Sequence, residues 1–380
     1  MTFTTNGHKP TATIEQASDA PTPATSHQNL PDAQNPQKRR AHHNKWVSVS
    51  ITIDAGARFV KTLVGGQFSH FPSVYRIADD TLPLNLLGCF TWNASHYAVG
   101  AVADMVEGQM ERASNANKID KIHLWVLGAL THNTKLLSEL QASKKRLKEP
   151  VRLKLDITML TLSSALQQQI RASLEAIDSF TWEGQEFKVA IDSLKILPEG
   201  YGSAVTISAQ NPDVQRFHIL DLGGGTLTLT EYQASHGRPA PIVQKIANGG
   251  GISSIITSIQ IGLSKSDKSG ARIIPELIQE SLKASTEKEC IYLFGNKPKN
   301  IASSVKSAMD DWLADNPQCQ NILSFALAAL LRDEHLYLTG GGFACLIVKA
   351  WVAQWLSKGC GERGHIEVLP DCYKINLTGC

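Results

Sequence analysis

Two segments of the sequence each place an aspartate beside glycine at the end of an apolar run, a pattern suited to phosphate and metal chemistry. In the first, Asp54 is followed by Gly56, and Lys61 lies further along. A glycine turn lets backbone N–H groups approach phosphate oxygens closely, and the carboxylate can hold waters of a magnesium ion. An ordinary Asp-x-Gly hairpin turn has the same sequence. This segment alone leaves both interpretations open.

The second segment contains a longer glycine turn. Asp221 follows an apolar strand pattern, and Gly223, Gly224, Gly225 and Thr226 come after it. Three successive glycines cost chain entropy, so they need a reason such as close approach of the backbone to a ligand. Their N–H groups can surround a β- or γ-phosphate, and Asp221 offers magnesium a second carboxylate. A purely structural turn is the alternative.

Three further segments carry weaker signals. Gly340–Gly342 and Phe343 join a strand to a helix, and a helix N-terminus behind glycines favours phosphate and leaves bare backbone for a base or ribose. Glu199, in a loop after a strand, can orient an attacking water or can simply be solvated. Gly249–Gly251 precede a helix, either as a hinge or for close packing.

Other phosphate and hydrolase motifs are missing from the sequence. Residues 262–269 approximate a P-loop, but Asp267 stands where that loop needs glycine, and the segment follows an amphipathic helix rather than a strand. No GxSxG nucleophile elbow occurs, and no strand pattern leads into a GxGxxG dinucleotide motif. The sequence therefore does not predict a P-loop, serine-hydrolase or Rossmann site.

Strand and helix patterns place the two glycine turns at matching points of two halves. In the first half, strand patterns at 47–53 and 59–64 predict an antiparallel hairpin. In the second half, strand patterns at 217–220 and 227–232 flank the glycine turn. Further strands are predicted at 153–160, 188–197 and 335–339, and helices at 101–112, 118–130, 162–177, 252–263, 275–285, 301–314 and 343–356. Each half thus begins with a strand, a glycine turn and a strand.

The composition is typical of a globular protein, since 42% of the 380 residues are hydrophobic and 19% are charged. This length allows one large bilobed core or two ordinary domains. The formal charge of +2 gives no general electrostatic reason for direct nucleic-acid binding. The seven scattered cysteines favour reduced thiols, and no apolar run has the ~20 residues of a membrane span. With no secretory signal pattern either, we expect a cytoplasmic protein that does not contact membranes.

The chain divides into three predicted parts. Residues 1–45 are rich in Pro, Thr, Ala, Asn and Gln, and Phe3 is their one aromatic residue, so we expect this tail to be disordered. Order is predicted to begin at Trp46. Residues 46–199 and a C-terminal return of residues 366–380 then form a first α/β domain, and residues 200–365 form a second.

Taken in order, these segments resemble the nucleotide site of the actin, sugar-kinase and DnaK-type chaperone superfamily. The five matching motifs are phosphate 1 at Asp54–Gly56, connect 1 at 198–204, phosphate 2 at Asp221–Thr226, connect 2 at 249–254 and adenosine at 338–343. The resemblance extends over residues 46–380. It implies an α/β, actin-like fold in which two ribonuclease-H-like domains flank a nucleotide cleft.

Within that superfamily the chain most resembles the bacterial plasmid-segregation actins of the ParM/StbA type. Asp54-x-Gly56 followed by Lys61 is similar to the opening of that group, and Pro198-Glu199 is similar to its connect 1. Residues 373–379 resemble its closing strand, which returns to the first domain. One departure is Thr228, because many relatives have an aspartate there that adds a carboxylate near the metal.

The resemblance also implies a role for each matching residue. Asp54 and Asp221 would hold hydrated magnesium, Asp221 would also take part in catalysis, and Glu199 would position the attacking water. The residues that would contact the nucleotide are Asp54, Gly56, Lys61, Gly223, Gly224, Gly225, Thr226, Gly249, Gly250, Gly340, Gly341, Gly342 and Phe343. Glu280 and Lys283 complete this set, because a helix at 275–285 matches the one that lines the ribose pocket in this family.

In this family ATP favours filament assembly, and hydrolysis destabilises the filament. The resemblance thus implies an ATPase that requires Mg²⁺, with GTP as the alternative nucleotide, and that assembles with itself. It would segregate plasmid DNA through a DNA-binding adaptor protein and would not bind nucleic acid directly. Two alternatives stay open: a small-molecule kinase on the same fold, for which the sequence shows no convincing base, and a nucleotide-binding regulator with negligible turnover.

Overall fold

A computed structural model of the chain describes residues 46–56, 58–78, 86–113, 119–142, 149–161, 166–266, 272–370 and 374–380. The predicted tail, residues 1–45, lies outside the described residues. Within these ranges no helix has both the length and the apolar character that crossing a membrane needs.

The first half of the chain forms a mixed sheet with helices packed on it. Its elements are β1 (Val47–Ala55), β2 (Phe59–Val64), β3 (Gln67–Pro72), β4 (Val74–Ala78), β5 (Cys89–Trp92), β6 (Ser95–Val99), β7 (Gln109–Arg112), α1 (Ile122–His132), α2 (Thr134–Ala142), β8 (Val151–Leu160), α3 (Gln167–Glu175), β9 (Ser179–Trp182) and β10 (Gln185–Leu197). The strand order is β3-β2-β1-β8-β10-β9-β5-β6-β4-β7. In β8 every second residue from Val151 to Met159 is buried, and the residues between them are partly exposed. This alternation is typical of a strand with one face against the core.

The second half forms a smaller mixed sheet and a separate two-stranded ribbon. Its elements are α4 (Tyr201–Gln210), β11 (Arg216–Leu222), β12 (Thr226–Ser235), β13 (Arg238–Asn248), α5 (Ile252–Ser266), α6 (Pro275–Lys283), β14 (Ile291–Phe294), β15 (Lys297–Asn300), α7 (Ala302–Asp315), α8 (Pro317–Leu331), β16 (His335–Thr339), α9 (Leu346–Cys360), β17 (His365–Val368) and α10 (Ile375–Thr378). The sheet order is β13-β12-β11-β16-β17, and β14 pairs with β15.

The same arrangement recurs at the centre of both sheets. β1 pairs antiparallel with β2 and parallel with β8, and β11 pairs antiparallel with β12 and parallel with β16. Asp54 is the penultimate residue of β1, and Asp221 is the penultimate residue of β11. The fold therefore places the two aspartates at equivalent points, each at the carboxyl end of a central strand.

Each sheet has its own hydrophobic core. In the first, α1 is buried along most of its length, and the side chain of Trp125 is fully enclosed. In the second, α5 buries the predicted apolar face, which consists of Ile252, Ile255, Ile256, Ile259 and Leu263. Because α5 begins next to the glycine turn after β11, its packing also fixes the position of that turn.

Most predicted elements around the two hairpins are confirmed, and β2 and β16 have the predicted bounds. The predicted helix at 101–112 is wrong. A 3-10 turn at Ala101–Asp104 and strand β7 replace it, because Gly108 has a φ of 124°, outside the helical region, and β7 pairs with β4. The helix predicted from Phe343 begins instead at Leu346.

The predicted closing strand at the C-terminus is also wrong. Its described residues form the short helix α10, which contacts α4, β1 and β2. The edge position beside β16 is occupied by β17. The boundaries predicted for the two domains stay predictions.

Candidate functional site

A cleft of about 430 Å³ lies where the turns that follow β1 and β11 face each other. Both halves of the chain contribute to its walls. The predicted site residues that line it are Asp54, Gly56, Lys61, Glu199, Asp221, Gly223, Gly224, Gly225, Thr226, Lys283, Gly341 and Gly342. Segments up to 288 positions apart in the sequence therefore meet at one cavity, from Asp54 to Gly342.

The first carboxylate of the cleft is paired with a lysine. Asp54 and Lys61 are directly opposite in the β1–β2 register, and their side chains form an ion pair with an N–O distance of 3.1 Å. These side chains are only 12% and 21% exposed. Burial alone would lower the pKa of Lys61, but nearby carboxylates, first Asp54, then Asp221 and Glu199, raise it above the ordinary value. Lys61 is therefore a fully charged cation inside the cleft.

The second carboxylate has no cation directly opposite it. Asp221 faces Thr228 in the β11–β12 register, and its Oδ2 accepts a hydrogen bond of 3.3 Å from Nδ2 of Asn376. Burial raises the pKa of Asp221, and the charge of Lys61 and the hydrogen bond from Asn376 only partly oppose this effect. A partly buried carboxylate with a raised pKa gains stability from any additional cation in the cleft.

The glycine turn between β11 and β12 is held from behind. Gly223 N–H donates to the carbonyl of Thr226 at 2.9 Å, and the first residues of α5, Ile252 and Ser253, donate to the carbonyls of Gly223 and Gly224 at 3.0 Å. Among the described residues, the N–H groups of Gly224 and Gly225 have no hydrogen-bond partner. A rigid turn with two available N–H donors in a cleft is a site for an anion.

The segment at 249–251 supports this turn rather than lining the cleft. Gly249 N–H donates to the carbonyl of Gly225 at 2.9 Å. A Cβ atom on Gly251 would lie 2.5 Å from the carbonyl oxygen of Gly224, and one on Gly250 would lie 2.4 Å from Sγ of Cys319. Close packing therefore explains Gly250 and Gly251, whereas the φ of 77° explains Gly249, and Gly249 and Gly250 lie outside the cleft lining.

The glycines after β16 divide into two kinds. Gly340 has a φ of 97°, and a Cβ atom there would lie 2.1 Å from Oδ1 of Asp221. Gly340 therefore packs behind the aspartate and does not line the cleft. Gly341 does line it, with open space around a Cβ position. Phe343 is 1% exposed and belongs to the hydrophobic core of the second sheet.

Helix α6 contributes one face to the cleft. Gln279 and Lys283 line it, whereas Glu280 does not. The reason is the helical period, because residues four apart share a face and the next residue along points elsewhere. The sequence prediction thus placed the correct helix at the cleft but named Glu280 in place of its neighbour.

Several lining residues were missed by the sequence prediction. Arg58 extends from the turn after β1 toward the second half, where its Nη1 donates to Oγ of Ser253 at 3.4 Å. His70 also lines the cleft; burial lowers its pKa, and nearby lysines lower it further. Asn376 was missed because it follows Asp221 by 155 positions. None of these residues lies in a glycine motif, so the sequence gave no local signal for them.

The two carboxylates are suited to a hydrated magnesium ion. Asp54 and Asp221 line the same cleft and interact electrostatically, and carboxylate oxygens are the ligands that Mg²⁺ prefers. Among the described residues, no group of three or more His, Cys, Asp or Glu side chains is arranged to hold a metal. Two carboxylates leave the other coordination positions to waters and phosphate oxygens, an arrangement that Mg²⁺ accepts.

The sequence matches no family model and no curated protein, whereas the fold matches solved structures. An archaeal actin homolog has 17% identity and a TM-score of 0.59, over 87% of this chain and 97% of that chain. The actin-like protein Alp7A has 14% identity and a TM-score of 0.59, over 88% and 95%. A ParM subunit from a 15-stranded filament of Clostridium botulinum has 15% identity and a TM-score of 0.58, over 87% and 97%.

Each match spans nearly the whole length of the neighbouring chain, so the likeness extends to the full architecture and not to one sheet. The archaeal homolog has also been solved in complex with ADP, and that complex has 15% identity to this chain. At such identities the comparison establishes the fold. The chain has the predicted actin-like α/β fold.

Proposed function

We propose that this protein is an ATPase that binds a nucleoside triphosphate with Mg²⁺ in the cleft and assembles into filaments with copies of itself. The observation that carries the proposal is the convergence of Asp54 and Asp221, each at the end of a central strand, on one cavity that is also lined by a partly exposed glycine turn. The ADP complex of the archaeal homolog supports a nucleotide as the ligand. ATP is the nucleotide we favour, with GTP as the alternative.

The phosphates would lie between the two hairpins. The N–H groups of Gly224 and Gly225 are available donors in the second hairpin, and Lys61 and Arg58 of the first hairpin supply positive charge. The remainder of the nucleotide would extend toward Gly341 and α6, where Lys283 lies. A triphosphate matches this arrangement because its charge is concentrated where the donors and cations are.

The chemistry we propose is attack of water on the γ-phosphate, which gives the diphosphate and inorganic phosphate. Asp54 and Asp221 would hold the hydrated Mg²⁺, which when bound neutralises charge that develops on the phosphate oxygens. Glu199 follows β10 and lines the cleft within electrostatic reach of Lys61, so its carboxylate would orient the attacking water. Lys61 would hold Asp54 in place through their ion pair.

A substitution of the water-positioning residue tests the catalytic part. Glu199→Gln should lower phosphate release by about 10²-fold, in line with the loss of a general base, and should leave nucleotide binding intact. Glu186→Gln is the control, because this exposed glutamate is on β10, the strand that precedes Glu199, but does not line the cleft. Unchanged phosphate release in Glu199→Gln would contradict hydrolysis at this site, and transfer of phosphate to a sugar or an acid would favour a kinase instead.

Sedimentation tests the filament part. The ParM filament of Clostridium botulinum shares this fold, which supports self-assembly of the chain. We expect the protein to pellet with ATP and Mg²⁺ and to remain in the supernatant with ADP. If it stays monomeric at high concentration with either nucleotide, the filament proposal fails while nucleotide binding stands.

The cellular role we propose is segregation of plasmid DNA in the cytoplasm. The formal charge of +2 over 380 residues favours contact with DNA through an adaptor protein rather than directly. A salt-dependent gel shift by the isolated protein would argue against this arrangement, because direct phosphate contacts weaken steeply with salt.

A further inference from the structure

The last helix of the chain packs against α4 with direct backbone contact. A Cβ atom on Gly379 would lie 2.0 Å from the carbonyl oxygen of Gly202, and one on Gly202 would lie 2.1 Å from the carbonyl oxygen of Asn376. Neither position has room for a side chain. The two glycines therefore fix α10 at one distance from α4 and, with it, the backbone of Asn376.

The side chain of Asn376 is hydrogen-bonded at both ends. Its Nδ2 donates to Oδ2 of Asp221 at 3.3 Å, and its Oδ1 accepts from the backbone N–H of Ser203 at 3.4 Å and from the Ser203 hydroxyl. The residue is 4% exposed. A buried amide is stable only when its donors and acceptor are satisfied, so these bonds hold the side chain in one orientation.

The two partners of this amide are linked to different steps of the proposed function: one is a carboxylate proposed to hold the metal, and the other lies close in sequence to the glutamate proposed to orient the attacking water. Asp221 is one of the two carboxylates of the cleft, and Ser203 is in the first turn of α4, four residues after Glu199. Between them, Gly200 has a φ of 84° and accepts a hydrogen bond of 3.0 Å from Ala204 N–H, so the turn after Glu199 is fixed to α4. Asn376 thus joins the strand that carries Asp221 to the helix that follows Glu199.

We propose that Asn376 is a positioning residue of the cleft, which orients the Asp221 carboxylate for a hydrated Mg²⁺ and sets its spacing from Glu199. This inference rests on the proposed function. An amide suits the task because it donates to a carboxylate without adding charge beside it. Asn376 also lines the cleft itself, so it lies at the site and does not act only through the core.

A comparison of the two carboxylates shows why Asp221 needs Asn376. Lys61 Nζ hydrogen-bonds to Asp54, and the hydrogen bond seen between described residues at the Asp221 side chain comes from Asn376. On its other side, Asp221 Oδ1 packs against Gly340. Removal of the amide would leave one carboxylate oxygen without a donor and free the side chain to turn, which would weaken binding of a cation at this carboxylate.

The test measures magnesium dependence of nucleotide binding, with ADP as the probe and calorimetry as the readout. Asn376→Ala should raise the Mg²⁺ concentration needed for half-maximal enhancement of ADP binding by about ten-fold, the usual loss when a partner of a metal ligand is removed. ADP binding in the presence of EDTA should change by less than about two-fold, since no metal contributes there.

The matched control is Ser203→Ala, which removes the hydroxyl bond to Asn376 but keeps the bond from Asn376 to Asp221. It should leave the magnesium requirement near that of the unchanged protein, because the backbone N–H of Ser203 still donates to Oδ1 of Asn376 and so keeps the amide in place. Thermal unfolding without ligand shows whether each variant is folded, and Asn376→Ser replaces the alanine variant if that one is not. An unchanged magnesium requirement in a folded Asn376 variant, or equal losses with magnesium and with EDTA, would overturn this inference. Absence of magnesium-dependent ADP binding in the unchanged protein would instead overturn the proposed function.

Discussion

The two hairpins that form the cleft, β1–β2 and β11–β12, place an aspartate at the same position. They differ in the residue that lies opposite the aspartate and in the group that binds its carboxylate. Each begins with a buried central strand whose penultimate residue is the aspartate. Opposite Asp54 the register places Lys61, and opposite Asp221 it places Thr228. The first hairpin therefore pairs its aspartate with a cation, whereas in the second the hydrogen-bond partner of the aspartate is the neutral amide of Asn376.

This difference shows where the cleft has most to gain from a bound cation. The ion pair already satisfies Asp54, so its main contribution to a metal would be a geometric one. Asp221 is partly buried, loss of solvation raises its pKa, and a divalent ion would relieve that cost. We infer that Asp221 dominates the affinity for the metal and that Lys61 and Asp54 mainly define the shape of the site.

The largest expected effect comes from removal of the cation in the first hairpin. Lys61→Met should lower the free energy of unfolding by about 3 kcal/mol, because it leaves the Asp54 charge enclosed without its partner. Chemical denaturation of the ligand-free protein measures this change. Added Mg²⁺ should recover part of the loss, since the metal would then take the place of the ammonium group.

Lys154→Met provides the control for this comparison. Lys154 pairs with Asp192 at 2.8 Å on β8 and β10 of the same sheet, but both side chains are well exposed. Exposed pairs contribute little, so the denaturation midpoint should not change measurably. If the two variants lose stability equally, burial does not distinguish the Asp54 pair, and the contrast between the hairpins is lost.

The hairpins were predictable from sequence because their signal is local. Alternating side chains identify β1 and β2, and a run of three glycines marks the turn before β12. The helix face of α5 was predicted for the same reason, since its apolar residues recur at helical spacing. In such segments, residues close together in the sequence determine which side chains are buried and where the chain turns.

The contacts that complete the cleft were not predictable, because they join distant residues. Asn376 meets Asp221 across 155 positions, and Arg58 meets Ser253 across 195. Residues 373–379 were predicted as a strand from their resemblance to a family pattern. Instead the short helix α10 forms there, and Gly379 packs tightly on Gly202. Local patterns do not contain the tertiary packing that decides such cases.

A smaller effect is expected from the glycines behind Asp221. Gly340→Ala should destabilise the protein by about 2 kcal/mol, because alanine is strained at a φ of 97° and its Cβ would displace the Asp221 carboxylate. Gly341→Ala is the matched control, with open space around its Cβ position. The free energy of unfolding, measured by chemical denaturation without ligand, should fall only in the first variant. Equal stability of the two variants would show that the position of Asp221 tolerates displacement.

The smallest expected effect contrasts Asp221 with a carboxylate near the opposite end of β11. There Glu334 accepts hydrogen bonds from Arg332 and from His218, which is on β11. Burial alone would raise the pKa of Glu334, but these partners outweigh it and hold the pKa below the ordinary value. A carboxylate with a lowered pKa stabilises the folded state above the pKa of the unfolded chain, about 4.3, and this stabilisation disappears as the pH falls through the folded value.

Glu334→Gln should therefore lower the free energy of unfolding at pH 7 by at most about 1 kcal/mol, since solvent screens part of the cluster, and the difference should vanish near pH 3. Denaturation of both proteins at several pH values measures it, and a difference that persists at pH 3 would mean that packing rather than charge makes Glu334 important.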